Sequence, residues 1–211
     1  PAYDWQVMSD SSAAAPPPGV TLEVLRSEDD WAEHLRDETS AGLREDPPST
    51  PPVWFYDAAG SELFDKITLL DEYYPTRAER AILAANSDEI AAFSGANSLI
   101  ELGAGSADKT RLLLQGLADT GTLQRYVPVD CSEPALVDAG IRVTGEFPGL
   151  PVEAIVAYFN AHLPHFPRGD RRMIAFLGST IGNFAPSARA AFLNDVAEHL
   201  EPGHGEAGPG F

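Results

Sequence analysis

The segment Ile100-Glu101-Leu102-Gly103-Ala104-Gly105-Ser106-Ala107-Asp108-Lys109-Thr110, followed by an acid at Asp130, holds the residue types and spacing most able to do chemistry. Gly103 and Gly105 carry no Cβ, so the backbone can turn sharply there and approach a ligand closely. Asp130 ends the apolar run Tyr126 to Val129, about where a second strand presents a carboxylate to ribose hydroxyls. Glycine turn, following helix and acid together point to an adenosine-containing cofactor, held at the carboxyl end of the first strand of an open α/β sheet.

Three cofactors compete for this loop. A dinucleotide fingerprint needs a third glycine three residues after the second, and Asp108 stands there. A phosphate-binding loop of the form G-x-x-x-x-G-K-[ST] matches Gly103 through Thr110 except at that same Asp108, whose carboxylate would repel β- and γ-phosphates. S-adenosylmethionine has no phosphate and carries a sulfonium cation, so Asp108 argues for it over NAD or ATP. Lys109 opposes the dipole of the helix it begins, which calls for a ligand or a carboxylate partner. Glu101 is a strand-end acid that either binds the cofactor or pairs with a neighbour. His162 and His165 read as loop histidines, since no carboxylate or cysteine joins them at metal-ligand spacing, and no metal site is expected.

The elements that must position these residues follow from hydrophobic period and turn chemistry. From Asn97 onward, apolar runs near 98–102, 126–130, 152–157 and 173–177 alternate with helical patterns near 107–118, 133–146 and 187–200. That alternation is expected of a parallel sheet with helical crossovers, here of four strands. Upstream, Thr21 to Leu25 forms a short strand candidate and Asp29 to Leu43 a helix. Pro47-Pro48-Ser49-Thr50-Pro51-Pro52 is a stiff break. A helix from Ser61 to Leu70 takes Ser61 as its N-cap, and another, capped by Thr76, runs to about Ser94. Four parts are expected: a disordered Ala/Ser/Pro-rich leader over 1–19, an N-terminal part of a substrate-binding domain over 20–75, a cofactor-binding core over 76–203, and a Gly/Pro tail over 204–211.

Composition narrows the function classes. The 211 residues carry a formal net charge of −18, with 32 acidic against 14 basic side chains, which argues against nucleic-acid binding. A single cysteine, Cys131, excludes an intramolecular disulfide within this sequence. No apolar run approaches the roughly 18–20 residues of a membrane span, and the first residues lack a signal-peptide pattern, so a cytoplasmic protein is expected; a monomer is expected as well.

Beyond the glycine loop, several blocks share one resemblance. Trp54-Phe55-Tyr56-Asp57, Gly60-Ser61 with Leu63-Phe64-Asp65, Glu72-Tyr73-Tyr74-Pro75-Thr76-Arg77, Glu101 to Ser106 with Lys109-Thr110-Arg111, and Phe176 to Asn183 stand in matching order and spacing. From about Val53 to Gly203 the chain resembles the histidine-specific N-alpha-methyltransferases of ergothioneine biosynthesis. The resemblance implies a Rossmann-like methyltransferase sheet joined to an N-terminal helical part of a substrate-binding domain. The implied activity is S-adenosylmethionine-dependent trimethylation of the α-amino group of L-histidine to hercynine.

Carried over by position, Gly103, Gly105 and Lys109 become cofactor contacts and Asp130 the ribose-binding acid. Tyr158 and Phe159 frame the adenine, Tyr73 lines the imidazole pocket, Asn183 is a histidine-binding amide, and Tyr56 stands close to the reacting amine as its catalytic phenol. The chain departs from the family at Tyr158, where a phenol replaces a carboxylate able to accept from the adenine amino group. It departs again after Gly203, where Gly/Pro-rich sequence stands in place of the rest of the substrate lobe and the last strands. An incomplete sheet is therefore expected. Two other readings stand beside the enzyme: a truncated, inactive remnant or cofactor-binding fragment, and a relative methylating another amino-acid amine.

Overall fold

A computed structural model describes residues 16–25, 28–52, 58–169 and 171–200. Five strands form one sheet: β1 (Val20–Val24), β2 (Ser98–Leu102), β3 (Arg125–Asp130), β4 (Val152–Val156) and β5 (Arg172–Ala175). All pair in parallel, in the order β1-β4-β3-β2-β5. The four strands expected from the alternating pattern are present, and a fifth joins them. The segment near Thr21 to Leu25 pairs with the outer edge of β4, Val20 opposite Val152 and Val24 opposite Val156.

Seven helices are described: α1 (Glu28–Gly42), α2 (Ala58–Thr68), α3 (Pro75–Ser94), α4 (Thr110–Asp119), α5 (Glu133–Glu146), the single turn α6 (Phe159–His162) and α7 (Pro186–Leu200). Two 3₁₀ turns, Leu163–His165 and Thr180–Asn183, follow β4 and β5. Three helix starts differ from the sequence expectation. Helix α2 begins at Ala58, so Ser61 lies inside it rather than capping it; Ala58 and Ala59 are strong helix formers and extend it backward. Helix α3 begins at Pro75, whose fixed φ suits the first helical position, so Thr76 is not its cap. Helix α4 begins at Thr110 because the turn continues through Ala107, which has a φ of +55°. Helix α5 starts where expected, with Ser132 accepting from the Ala135 N–H at 3.4 Å.

Side-chain alternation along the strands builds two cores. Leu99, Tyr126, Val152, Ala154 and Val156 face α3, α4 and α5, and pack with Leu83, Leu114, Leu117, Leu136 and Val143. Ile100, Leu102, Val127, Val129 and Ile155 face the other way, against Leu163, Phe166 and Phe192. The sheet is thus buried on both faces, as a parallel sheet requires. The tightest helix contact is α3 against α4. A Cβ on Gly116 would stand 2.8 Å from the Ser87 carbonyl oxygen and 3.3 Å from the Ala91 Cβ.

Because the obstruction at Gly116 is backbone, Gly116→Ala is expected to lower stability by about 1–3 kcal/mol, although alanine is the better helix former. A thermal melt of the variant checks this. An unchanged or raised midpoint would mean the two helices can separate freely.

Candidate functional site

From β2 the chain steps outward to β3 and β4, then returns to place β5 on the other flank of β2. In such sheets the crevice at the carboxyl ends, where the order reverses, is where ligands bind. The loops after β2 and β5 therefore face the candidate site, with the ends of β3 and β4 beside them. Two concavities, of about 360 and 510 Å³, lie elsewhere, at the strand starts; one is lined by Asn97, Gln124, Arg125 and Glu153, the other by Val20, Thr21 and Leu150. They are at the opposite edge from the glycine loop.

Gly103 and Gly105 take φ values of +69° and +50°, which L side chains rarely adopt. The Gly103 and Ala104 N–H groups both donate to the Val129 carbonyl, at 2.8 and 3.1 Å, folding the loop over the end of β3. The Gly105 N–H donates to Asp130 Oδ2 at 3.0 Å, and the Ser132 N–H to Oδ1 at 2.9 Å. These two amides fix the carboxylate plane. An ionised carboxylate offers about four lone-pair sites, so each oxygen can still accept from a hydroxyl. Among the described residues the space above the loop is open: a Cβ on Gly105 would meet none of them within 4 Å, and one on Gly103 only the Phe159 ring, at 4.0 Å.

Phe159 and Tyr158 diverge. The Phe159 ring packs against Phe176, Phe192 and Phe184, with centroids 5.0, 5.7 and 6.3 Å away, and so borders the glycine loop on an aromatic cluster. The Tyr158 ring lies 5.5 Å from His34 of α1 and 6.4 Å from His162, its hydroxyl buried. The Tyr158 N–H donates to His162 Nδ1 at 3.1 Å.

Glu101 resolves toward a structural partner. It is buried and accepts from the Thr110 and Tyr126 hydroxyls, one on each oxygen. Burial pushes its carboxyl up from 4.5 to about 7, against the opposing pull of those two donors and of Lys109. Burial and the adjacent carboxylate hold the Tyr126 phenol well above its ordinary range.

Of the two partners open to a cation at a helix start, a ligand or a carboxylate, Lys109 has a carboxylate. Its ammonium pairs with Glu79 Oε2, while Glu79 Oε1 accepts from the Gly178 N–H at 2.9 Å. Glu79 comes from the second turn of α3, so one carboxylate joins α3, the loop after β2 and the loop after β5. No sequence spacing links Glu79 to Lys109; the only signal was a cation at a helix N-terminus. Asp108, whose carboxylate argued against a phosphate ligand, is paired with Arg80 and Arg111, the latter at 2.8 Å, because these arginines flank it on α3 and α4. Its charge is met by protein cations.

Tyr73 lies in the turn before α3, with its ring edge-on to Phe64 at 6.1 Å. Asn183 is exposed at the end of the 3₁₀ turn after β5. Tyr56, with Trp54 and Phe55, falls outside the described residues. The donor set fits an adenosine bearing an amino-acid tail: a glycine cradle without Cβ obstruction, a fixed carboxylate at the end of β3, an aromatic border, and an adjacent cation–anion pair.

Residues 35–206 match the family described as histidine-specific methyltransferase, SAM-dependent. A histidine N-alpha-methyltransferase of Mycolicibacterium smegmatis is 49% identical over 184 residues, covering 87% of this chain and 57% of that protein. One from Mycobacterium tuberculosis is 48% identical over 169 residues, covering 80% and 53%. An ergothioneine biosynthesis protein 1 of Schizosaccharomyces pombe is 34% identical over 161 residues, covering 71% and 21%. The chain spans little more than half the length of the two bacterial relatives. It belongs to the SAM-dependent, histidine-specific methyltransferase family. Among the described residues no helix is long and apolar enough to cross a membrane.

The raised carboxyl of Glu101 gives a pH dependence with a definite sign. Between pH 4.5 and about 7 the folded chain keeps a proton that the unfolded chain has released, so Glu101 costs stability as pH rises through that window. Denaturant unfolding of the native chain and of Glu101→Gln at pH 5 and 7.5 is expected to show their stability difference moving by about 2 kcal/mol in favour of the variant at the higher pH. A constant difference would place the Glu101 carboxyl near its ordinary value.

Proposed function

We propose that this chain binds S-adenosylmethionine and takes part in methylating the α-amino group of L-histidine, through to the trimethylated product hercynine of ergothioneine biosynthesis. The observation that carries the reading is the Asp130 carboxylate, aimed by the Gly105 and Ser132 amides at the carboxyl edge of a parallel sheet. Family membership over residues 35–206 supports it.

When bound, the cofactor supplies an electrophilic methyl group on a sulfonium sulfur. The protein's part is to position and to exclude water. Asp130 accepts from the ribose hydroxyls, Gly103 and Gly105 admit the nucleoside against bare backbone, and Phe159 borders the adenine. Tyr158 stands where the family has a carboxylate, and its ring is turned toward His34 and His162, so the base is bordered by Phe159. Tyr73 and Asn183 hold the histidine. Methyl transfer to nitrogen needs a neutral amine in line with the methyl, at about 3–3.5 Å. Tyr56 relays the amine proton, passing its own phenolic proton to water as it accepts the amine's, so that solvent is the final base. The aromatic faces of Trp54, Tyr73 and Tyr74 attract the increasingly methylated ammonium. The protein acts in the cytoplasm as a monomer, on small molecules rather than on nucleic acid.

Calorimetric titration with S-adenosylhomocysteine is expected to give one-to-one binding, weakened about tenfold or more in Asp130→Asn, which loses the charge but keeps the shape. Mass spectrometry of L-histidine incubated with the chain and S-adenosylmethionine is expected to show additions of one, two and three methyl groups. Binding without methylation would make the chain a cofactor-binding fragment. Absence of both, or binding indifferent to Asp130, would refute the reading.

A further inference from the structure

The edge of the sheet where its strands start, opposite the glycine loop, gathers four of the chain's 14 basic residues: Arg125 at the head of β3, Arg172 at the head of β5, and Arg168 and Arg171 in the segment leading into β5. Three bonds fix that segment. The Arg168 carbonyl accepts from Arg125 Nη2 at 3.3 Å and the Arg171 carbonyl from the Asn97 N–H at 2.9 Å, while Arg172 Nη2 donates to the His199 carbonyl on α7 at 2.6 Å. Around the glycine loop the basic residues are paired with carboxylates: Arg80 and Arg111 with Asp108, and Lys109 with Glu79. Arg168 and Arg171 are exposed, and among the described residues no acid pairs with either guanidinium. The formal net charge of −18 repels anions at a distance. Salt screens it beyond about 8 Å, so the local cluster sets the potential at this edge. Burial, and then the Arg172 and Arg168 charges, hold the His199 imidazole below its ordinary value, as a positive field requires.

The same edge holds the concavity of about 360 Å³ lined by Asn97, Gln124, Arg125, Pro151, Glu153 and Gly169. Arg125 is its fixed cation. Its Nε donates to Ser98 Oγ at 3.0 Å, its Nη1 to Glu153 Oε2 at 3.4 Å and its Nη2 to the Arg168 carbonyl. Three of five N–H groups are engaged, and one remains on each terminal nitrogen. A Cβ on Gly169 would stand 3.4 Å from Nη2, so glycine there keeps the guanidinium reachable. The Asn97 and Gln124 carboxamides make no hydrogen bond to a described residue, and each supplies two more N–H donors. Glu153 is the one acid in the lining, and its contact with Arg125 is long. The volume lies within the range of small-molecule sites, about 300–1,000 Å³, which is more than one tetrahedral oxyanion fills.

We propose that this corner is a second binding site, for a small molecule carrying a diphosphate group. Arg125 and the Asn97 and Gln124 carboxamides hold phosphate oxygens, and Arg168 and Arg171 complete the charge at the rim. A guanidinium suits this ligand because its planar fork donates two N–H groups to one phosphate. One phosphate would occupy Arg125 and leave the rim arginines unmatched, whereas two linked phosphates engage both. The site is separate from the cofactor crevice by the length of β3, about 20 Å.

The test titrates the full chain calorimetrically with inorganic diphosphate, with orthophosphate, and with diphosphate in the presence of saturating S-adenosylhomocysteine. Diphosphate is expected to bind one-to-one, about tenfold more tightly than orthophosphate, and S-adenosylhomocysteine to change that affinity by no more than about twofold. Arg125→Gln is expected to weaken diphosphate about tenfold or more. Because Arg125 also joins three elements, the exposed residues give the cleaner readout: Arg168→Gln and Arg171→Gln are each expected to weaken it about threefold. Glu153→Gln, which removes the opposing charge, is expected to tighten it about threefold. A change of opposite sign at Glu153 and at the arginines is what a merely structural role for these residues would not produce. No diphosphate binding at millimolar concentration, equal affinity for orthophosphate, or binding indifferent to Arg168, Arg171 and Glu153 would overturn the proposal. Displacement of diphosphate by S-adenosylhomocysteine would place the anion at the glycine loop and overturn it as well.

Discussion

A buried carboxylate is costly unless its oxygens are met by donors, and the site is built around one that is met. Glu101, at the end of β2, accepts from Tyr126 on β3 and from Thr110 at the start of α4. Strand, neighbouring strand and helix start are thereby tied to a single point by direct hydrogen bonds. The glycine loop spans Glu101 to Thr110, so its two ends are held together by this carboxylate. Asp130 lies four residues beyond Tyr126 on the same strand. Its bond to the Gly105 amide closes the loop from the other side.

A second carboxylate extends the arrangement across the crevice. Glu79 reaches from α3 to Lys109 and to the Gly178 amide, so the loops flanking the switch point are held by one side chain from outside the sheet. On the opposite face, Phe159, Phe176, Phe184 and Phe192 pack edge to face and back the loops after β4 and β5. The open floor of the glycine loop lies between a polar tie and an aromatic support. An adenosine with a charged tail is amphipathic in the same sense, and the fit follows from that correspondence.

Much of this was legible in the sequence because it depended on local pattern. The run Ser98 to Leu102 is a strand at the expected bounds, since an apolar run closed by glycines has few alternatives. Helix α5 likewise runs from Glu133 to Glu146 as expected. The partner of Glu101 was legible in principle: Glu101 pairs with Pro128, and Tyr126, two residues before Pro128, lies on the same face of the sheet. The partner of β1 was not, because five residues of strand pattern do not say which edge they join. Glu79 was not legible either, because it is brought to Lys109 by the docking of α3 rather than by any spacing. A carboxylate in the loop, here Asp108, repels a bound phosphate strongly only when it faces the ligand uncompensated. Arg80 and Arg111 turn it aside, so the case for S-adenosylmethionine rests on the glycines, Asp130 and family membership instead.

The most direct measurement of the central claim is a crystal structure of the chain with S-adenosylhomocysteine. The account expects the ribose hydroxyls on Asp130, the nucleoside lying against Gly103 and Gly105, and the amino-acid end directed over β2 toward Lys109. A nucleoside bound at the strand starts, or one running in the reverse direction with its adenine at β5, would contradict it.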